Sequence, residues 1–228
     1  MIQGNLRELG QKVGALTDHC ILLAVSKTKP VEDLQAAYDA GQRHFGENYV
    51  DEIAEKAGQL PADIQWHFIG HLQSNKVKKL ITSVPNLALF ETLDTEKLAT
   101  KLNKEVGKIQ REGPLRVLIQ VNTSGEDTKS GVAAGDVPSL VNFIRTDCHL
   151  LRFSGLMAMG AIGDLEGFQQ MAALRDSLVS EELPREQFVL SMGTSGDFEP
   201  AIQNGSNEVR LGTTIFGARN YPARNPAQ

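Results

Sequence analysis

Eight short apolar runs, each followed by a segment of helix-forming composition, constrain this chain more than any other feature of its sequence. The runs are Ile21–Ser26, His44–Glu47, Ile64–Ile69, Leu87–Thr92, Leu115–Val121, Leu151–Met159, Phe188–Met192 and Glu208–Phe216. Amphipathic or charged segments lie between them, among them Val31–Ala40, Asp94–Val106 and Leu165–Glu182. Strands that alternate with helices imply parallel pairing through crossover connections. A helix is expected over residues 1–18, where Leu6, Leu9, Val13 and Leu16 recur at spacings of three and four. Eight strand–helix units behind one leading helix predict an α/β fold, a single (β/α)8 TIM barrel. An open doubly wound sheet is the alternative, but it calls for a glycine fingerprint after its first strand that is missing here. No repeat or linker interrupts the 228 residues, so one domain is expected, with Pro222–Gln228 as a loose tail.

Composition narrows the function. Hydrophobic residues make up 41% and charged residues 22%, which is globular and not disordered. With 28 acidic against 23 basic side chains the net charge is −5, so phosphate neutralisation along a nucleic acid is not the main task. The uncharged stretch Phe153–Gly163 is too short to span a bilayer, and no signal-peptide pattern is read at Met1–Glu8. Two cysteines, Cys20 and Cys148, without a CxxC indicate neither a disulfide scaffold nor a cysteine zinc site. A cytoplasmic protein is expected.

In a barrel the chemistry sits at the C-terminal ends of the strands. Period-two alternation along Leu23-Ala24-Val25-Ser26-Lys27 puts Leu23, Val25 and Lys27 on one face, taken here as the interior. A lysine in a barrel mouth is partly desolvated, which frees its amine for Schiff-base formation. The plainer reading is a surface lysine entering the loop before Pro30. Ser191-Met192-Gly193-Thr194-Ser195-Gly196 and Gly212-Thr213-Thr214 offer backbone N–H groups and hydroxyls where many barrels hold a phosphate. The same glycines also suit tight turns. A hydrolase nucleophile elbow fails, because Asp197 stands where its closing glycine belongs. His67 and His71 lack the adjacent glutamate and helix of a zincin, so packed or hydrogen-bonded histidines are expected and no metal. Trp66 reads as core or as a wedge at the barrel rim.

Several stretches together resemble one family. Trp66-His67-Phe68-Ile69-Gly70-His71-Leu72-Gln73-Ser74-Asn75-Lys76 resembles the characteristic segment of the pyridoxal phosphate homeostasis protein family (YggS-like proteins). Ala24–Pro30, Phe45–Tyr49, Asn122 with Lys129-Ser130-Gly131, and Arg210–Thr213 with Ile215–Gly217 match in the same order, so the resemblance runs from about Ile21 to Tyr221. It implies a barrel similar to the N-terminal domain of bacterial alanine racemase, with pyridoxal 5′-phosphate (PLP) as cofactor. The lysine matching Lys27 carries PLP as a Schiff base, and the arginine matching Arg210 stands beside the pyridine nitrogen. Ser195, Gly212 and Thr213 are expected around the phosphate, supported by Ser191 and Gly193. Asn48 and Met157 complete the expected cofactor-binding set. Thr194 departs from the family, which commonly has an apolar residue there.

Arginine is donor-only and always charged, so it disfavours a protonated ring nitrogen and leaves PLP a weak electron sink. Racemisation also needs a second acid/base opposite the lysine, a tyrosine from another domain in the racemases. The chain's tyrosines are Tyr38, Tyr49 and Tyr221, and spacing places none of them opposite Lys27. The expectation is therefore a PLP carrier in vitamin B6 homeostasis with no catalytic residues. It is expected as a monomer whose partners are PLP and PLP-dependent apoenzymes, with no nucleic acid or membrane. A minimal single-domain racemase or lyase is the alternative, and a barrel that only binds protein partners is a third.

Overall fold

A computed structural model describes residues 1–123, 130–160 and 163–218. Its elements in chain order are α1 (Ile2–Leu16), β1 (Ile21–Val25), α2 (Val31–Asp39), β2 (His44–Glu47), α3 (Val50–Ala57), β3 (Gln65–Phe68) and α4 (Val77–Ser83). Next come β4 (Leu87–Leu93), α5 (Glu96–Val106), β5 (Leu115–Asn122), β6 (Val132–Ala133), α6 (Val137–Asp147) and β7 (Leu151–Ala158). The last are α7 (Leu165–Leu178), β8 (Val189–Thr194), α8 (Phe198–Gln203), β9 (Glu208–Leu211) and α9 (Thr213–Phe216). Eight strands run parallel in the order β4-β3-β2-β1-β9-β8-β7-β5, and pairing of β4 with β5 closes the barrel. The two-residue β6, which the sequence did not predict, adds to the edge of β5.

Local chemistry accounts for the helix boundaries. In α5 the Thr95 hydroxyl accepts the Leu98 N–H at 3.2 Å and fixes the start two residues inside the predicted segment. Leu98, Leu102 and Val106 then recur every fourth residue and bury one face. Each such side chain contributes about 1.5–3 kcal/mol when fully buried.

The main core lies between strands and helices, not inside the barrel. Ala24, Phe45, Trp66, Phe68, Phe90 and Val117 point outward into it, with Phe68 and Phe90 stacked at 5.7 Å. Trp66 is therefore core, not a rim wedge. Inside, Leu89, Leu118, Met157 and Val189 make a small apolar cluster of their own. Alternation continues on β9, where Val209 and Leu211 join the outer core while the intervening Arg210 lines an interior cavity.

The eighth predicted run needs correction. Strand β9 stops at Leu211, and Gly212 turns the chain into α9, with the Phe216 N–H bonded to the Gly212 carbonyl at 2.9 Å. Ile215 and Phe216, read as strand residues, are buried from that helical turn. Lys129, Tyr221 and the expected tail Pro222–Gln228 lie outside the described residues.

Candidate functional site

A cavity of about 550 Å3 opens at the C-terminal ends of the strands. Lys27 lines it from the turn just after β1. Leu23 packs inside the barrel against Gly46, and Val25 shares the cavity wall, so the expected alternation holds one residue past the strand. The peptides on both sides of Lys27 are clamped. Lys56, 5% exposed, donates from Nζ to the Ser26 carbonyl at 2.9 Å, to Glu47 at 2.7 Å and to Glu52 at 2.9 Å. Glu52 in turn accepts the Thr28 N–H at 2.8 Å, and the Ser26 hydroxyl donates to Glu47 at 2.7 Å. The clamp holds Thr28 at φ +65°, a left-handed conformation rare for a β-branched residue. Burial raises the Glu47 carboxyl above its ordinary range, and Lys56 and Ser26 oppose that shift.

Asn48 lines the cavity beside Lys27, and its buried Oδ1 has no partner. Glycine is required opposite it: a Cβ on Gly70 would lie 2.0 Å from the Asn48 carbonyl oxygen.

The opposite wall is a hydroxyl-rich pair of turns. Ser195 Oγ accepts the Gly212 N–H at 3.3 Å and lies 3.2 Å from Thr214 Oγ1. Buried Asp197 shapes the first turn by accepting the Thr194 N–H at 2.7 Å and its hydroxyl at 2.9 Å. Lys29 ties β1's turn to the second by donating to the carbonyls of Phe216 at 3.0 Å and Ala218 at 2.8 Å.

Arg210 forms part of the cavity wall and is 5% exposed. It donates through Nη1 to the Ser191 carbonyl at 2.9 Å and hydroxyl at 2.8 Å, and through Nη2 to the Ala158 carbonyl at 2.7 Å. From there a polar chain runs down the barrel. The Ser191 hydroxyl donates to Glu91 at 2.9 Å, Glu91 lies 2.8 Å from His67 Nδ1, and His67 Nε2 lies 3.1 Å from His44 Nδ1. Glu208 stands 3.4 Å from His67 with neither carboxyl oxygen hydrogen-bonded. Burial and the neighbouring Glu91 push the Glu208 carboxyl up to about 8. Burial, with His67 and Arg116 nearby, pushes the His44 imidazole down to about 4. Ligand-type atoms of His67, Glu91 and Glu208 lie within 4.8 Å of one another, the one such cluster among the described residues. Arg210 and Arg116 already act on those carboxyls as counter-charges.

The structure brings six predicted residues, Lys27, Asn48, Ser195, Arg210, Gly212 and Thr213, to one cavity. Three others are not on its wall. Met157 is on the inward face but one layer too deep, in the apolar cluster; Met159, two residues on, lines the cavity instead. Ser191 lies beneath the wall, held by Arg210 and Glu91. Gly193 adopts φ +94° and packs on α8, where a Cβ would come within 2.6 Å of Ala201 Cβ. That kink shifts the β8–β9 register and turns Thr194 to the cavity in its place. Val25 was expected on the interior face, and Gly196 and Thr214 within the phosphate segments; sequence reasoning did not assign Ile69 and Met159 to the wall, nor Glu91, Glu208 and His44 to the interior.

The alanine racemase N-terminal domain family matches residues 1–220. The mouse pyridoxal phosphate homeostasis protein is 47% identical over 218 residues, covering 90% of this chain and 79% of its own. The Pasteurella multocida protein of the same name is 44% identical, covering 96% of this chain and 95% of its own. PipY of Synechococcus elongatus, solved with PLP bound, is 29% identical with a TM-score of 0.78, over 95% of this chain and 100% of that one.

Proposed function

Because the chain belongs to the pyridoxal phosphate homeostasis protein family, we propose that it binds PLP in this cavity and serves in its homeostasis and supply, not in efficient catalysis. The residues present fit the cofactor. The cavity has the size of a small-molecule site. The buried, unpartnered Asn48 Oδ1 awaits a donor. Bound PLP supplies an aldehyde and an electron-withdrawing ring. Lys27 Nζ would hold the cofactor covalently through that aldehyde, and the Lys56–Glu52 clamp keeps its turn in place. The hydroxyls of Ser195, Thr213 and Thr214 take the phosphate oxygens. Arg210 has committed three N–H groups to Ser191 and Ala158, and from the cavity wall the remainder would meet the cofactor's ring nitrogen as donors only.

One observation carries the non-catalytic half of the proposal. Lys27 and Arg210 are the only ionisable side chains among the described residues that line the cavity. Tyr38 is engaged on the outer surface, donating to Asp63 at 2.7 Å, and Tyr49 is 52% exposed. Among the described residues, no second acid/base stands opposite Lys27. The proposal includes a monomer that hands PLP to apoenzymes.

Titration with PLP while following the visible spectrum, then Cα–H exchange of alanine and serine in deuterated water, tests this reading. The expected result is one equivalent of bound cofactor, with exchange no faster than that from free PLP. Rapid stereospecific exchange would establish the racemase or lyase instead.

A further inference from the structure

The opposite end of the barrel carries a second cavity, of about 610 Å3, lined among others by Cys20, Arg116, Arg152, Ser154 and Asn207. Arg116 and Arg152 are register partners on β5 and β7, so two cations lie side by side on adjacent strands. Like charges in that relation repel. Burial lowers the basicity of Arg116 and Arg152 lowers it further, while Glu208 and Glu91 in the layer above oppose that shift. Arg116 Nε donates to Ser154 Oγ at 3.3 Å, and Arg152 reaches Gln187 Oε1 only at 3.5 Å. Among the described residues neither guanidinium has a carboxylate within ion-pairing distance. One half-buried fork and one exposed fork, side by side on one cavity with no carboxylate in ion-pairing range, are the chemistry of an oxyanion receptor.

The surrounding groups agree. Asp18 and Glu186 also line the cavity, but both are exposed, where water screens them. Glu208 acts on Arg116 from the layer above, yet burial favours its neutral form, so it is a weak counter-ion near neutral pH. His19 is exposed at the rim, and Asn207 spends its amide on Leu190 and Phe188. The Cys20 thiol is pushed up to about 12 by burial and by Glu208, which suits the cavity to binding and not to thiol chemistry. We propose that this N-terminal mouth is a second ligand site, for a compact oxyanion such as a phosphate or carboxylate group, held between Arg116 and Arg152.

The test uses protein loaded with PLP and reduced with borohydride, so that the first cavity is filled. Equilibrium dialysis against labelled inorganic phosphate should show one saturable site per chain. Arg152→Gln, at an exposed position, and Arg116→Gln should each weaken it by about tenfold or more. Thr213→Val, at the other mouth, should leave it unchanged. Displacement by succinate assigns the site to oxyanions in general, and failure of succinate to compete assigns it to phosphate. Saturable binding that Arg152→Gln does not move overturns the proposal, as does no saturation up to about 10 mM phosphate.

Discussion

The cavity wall and the barrel axis beneath it use similar polar side chains to opposite ends. On the wall, Lys27 sits on a turn and Asn48 keeps an unpartnered oxygen. On the axis, Arg210, Ser191, Glu91 and His67 saturate one another in an unbroken chain. Arg210 belongs to both regions. The contrast separates two demands, since a wall must leave groups available to a ligand, while a buried axis must pair its polar groups or, as at Glu208, favour their neutral form. Stability and binding should therefore respond to different substitutions.

The largest effect is expected from Arg210→Met, which removes the main counter-charge of the buried Glu91. A loss of about 3–5 kcal/mol in urea unfolding is expected. Lys27→Ala, on the turn, should abolish the PLP absorption band yet cost less than about 1 kcal/mol. Equal losses of stability in the two variants would erase the distinction between wall and axis.

The next effect is pH dependence. Glu208 has an ordinary value of 4.5 raised to about 8, so in that window the folded state keeps a proton that the unfolded chain has released. Stability should therefore fall as pH rises through the window, and Glu208→Gln should remove that slope. His44 has the opposite sign. Its ordinary 6.5 is lowered to about 4, so stability falls as pH drops between those values, and His44→Gln should flatten the acid limb. Unfolding midpoints across the range check both.

Thr213→Val tests the wall alone. It should weaken PLP by about tenfold through loss of a charge-assisted bond, and leave pyridoxal, which has no phosphate, unchanged. Equal losses for both ligands would move the phosphate elsewhere. The smallest effect belongs to Tyr38→Phe, which should stay within about 0.5 kcal/mol in stability and leave the PLP spectrum untouched.

The wall was largely legible in the sequence because it follows strand alternation and turn chemistry. Lys27 could be placed from Leu23 and Val25, and Ser195, Gly212 and Thr213 from hydroxyls and glycines after the last strands. Alternation failed where the backbone broke it. Gly193, at φ +94°, interrupts β8, so Ser191 and Gly193 do not share the wall with Ser195. The axis was illegible for a different reason. A Glu91 or Glu208 within an apolar run gives no sign of facing an interior partner, since their contacts join strands far apart in the chain, such as Glu91 to Ser191. Gly212 was read as part of the phosphate site, but not as the point where strand becomes helix.

The central claim is that Lys27 is the residue to which PLP is attached. Borohydride reduction of the PLP-loaded protein, followed by peptide mapping, tests it directly. The pyridoxyl group is expected on the peptide containing Lys27, at close to one per chain. A label on Lys29, Lys56 or Lys76, with Lys27 unmodified, would contradict the account.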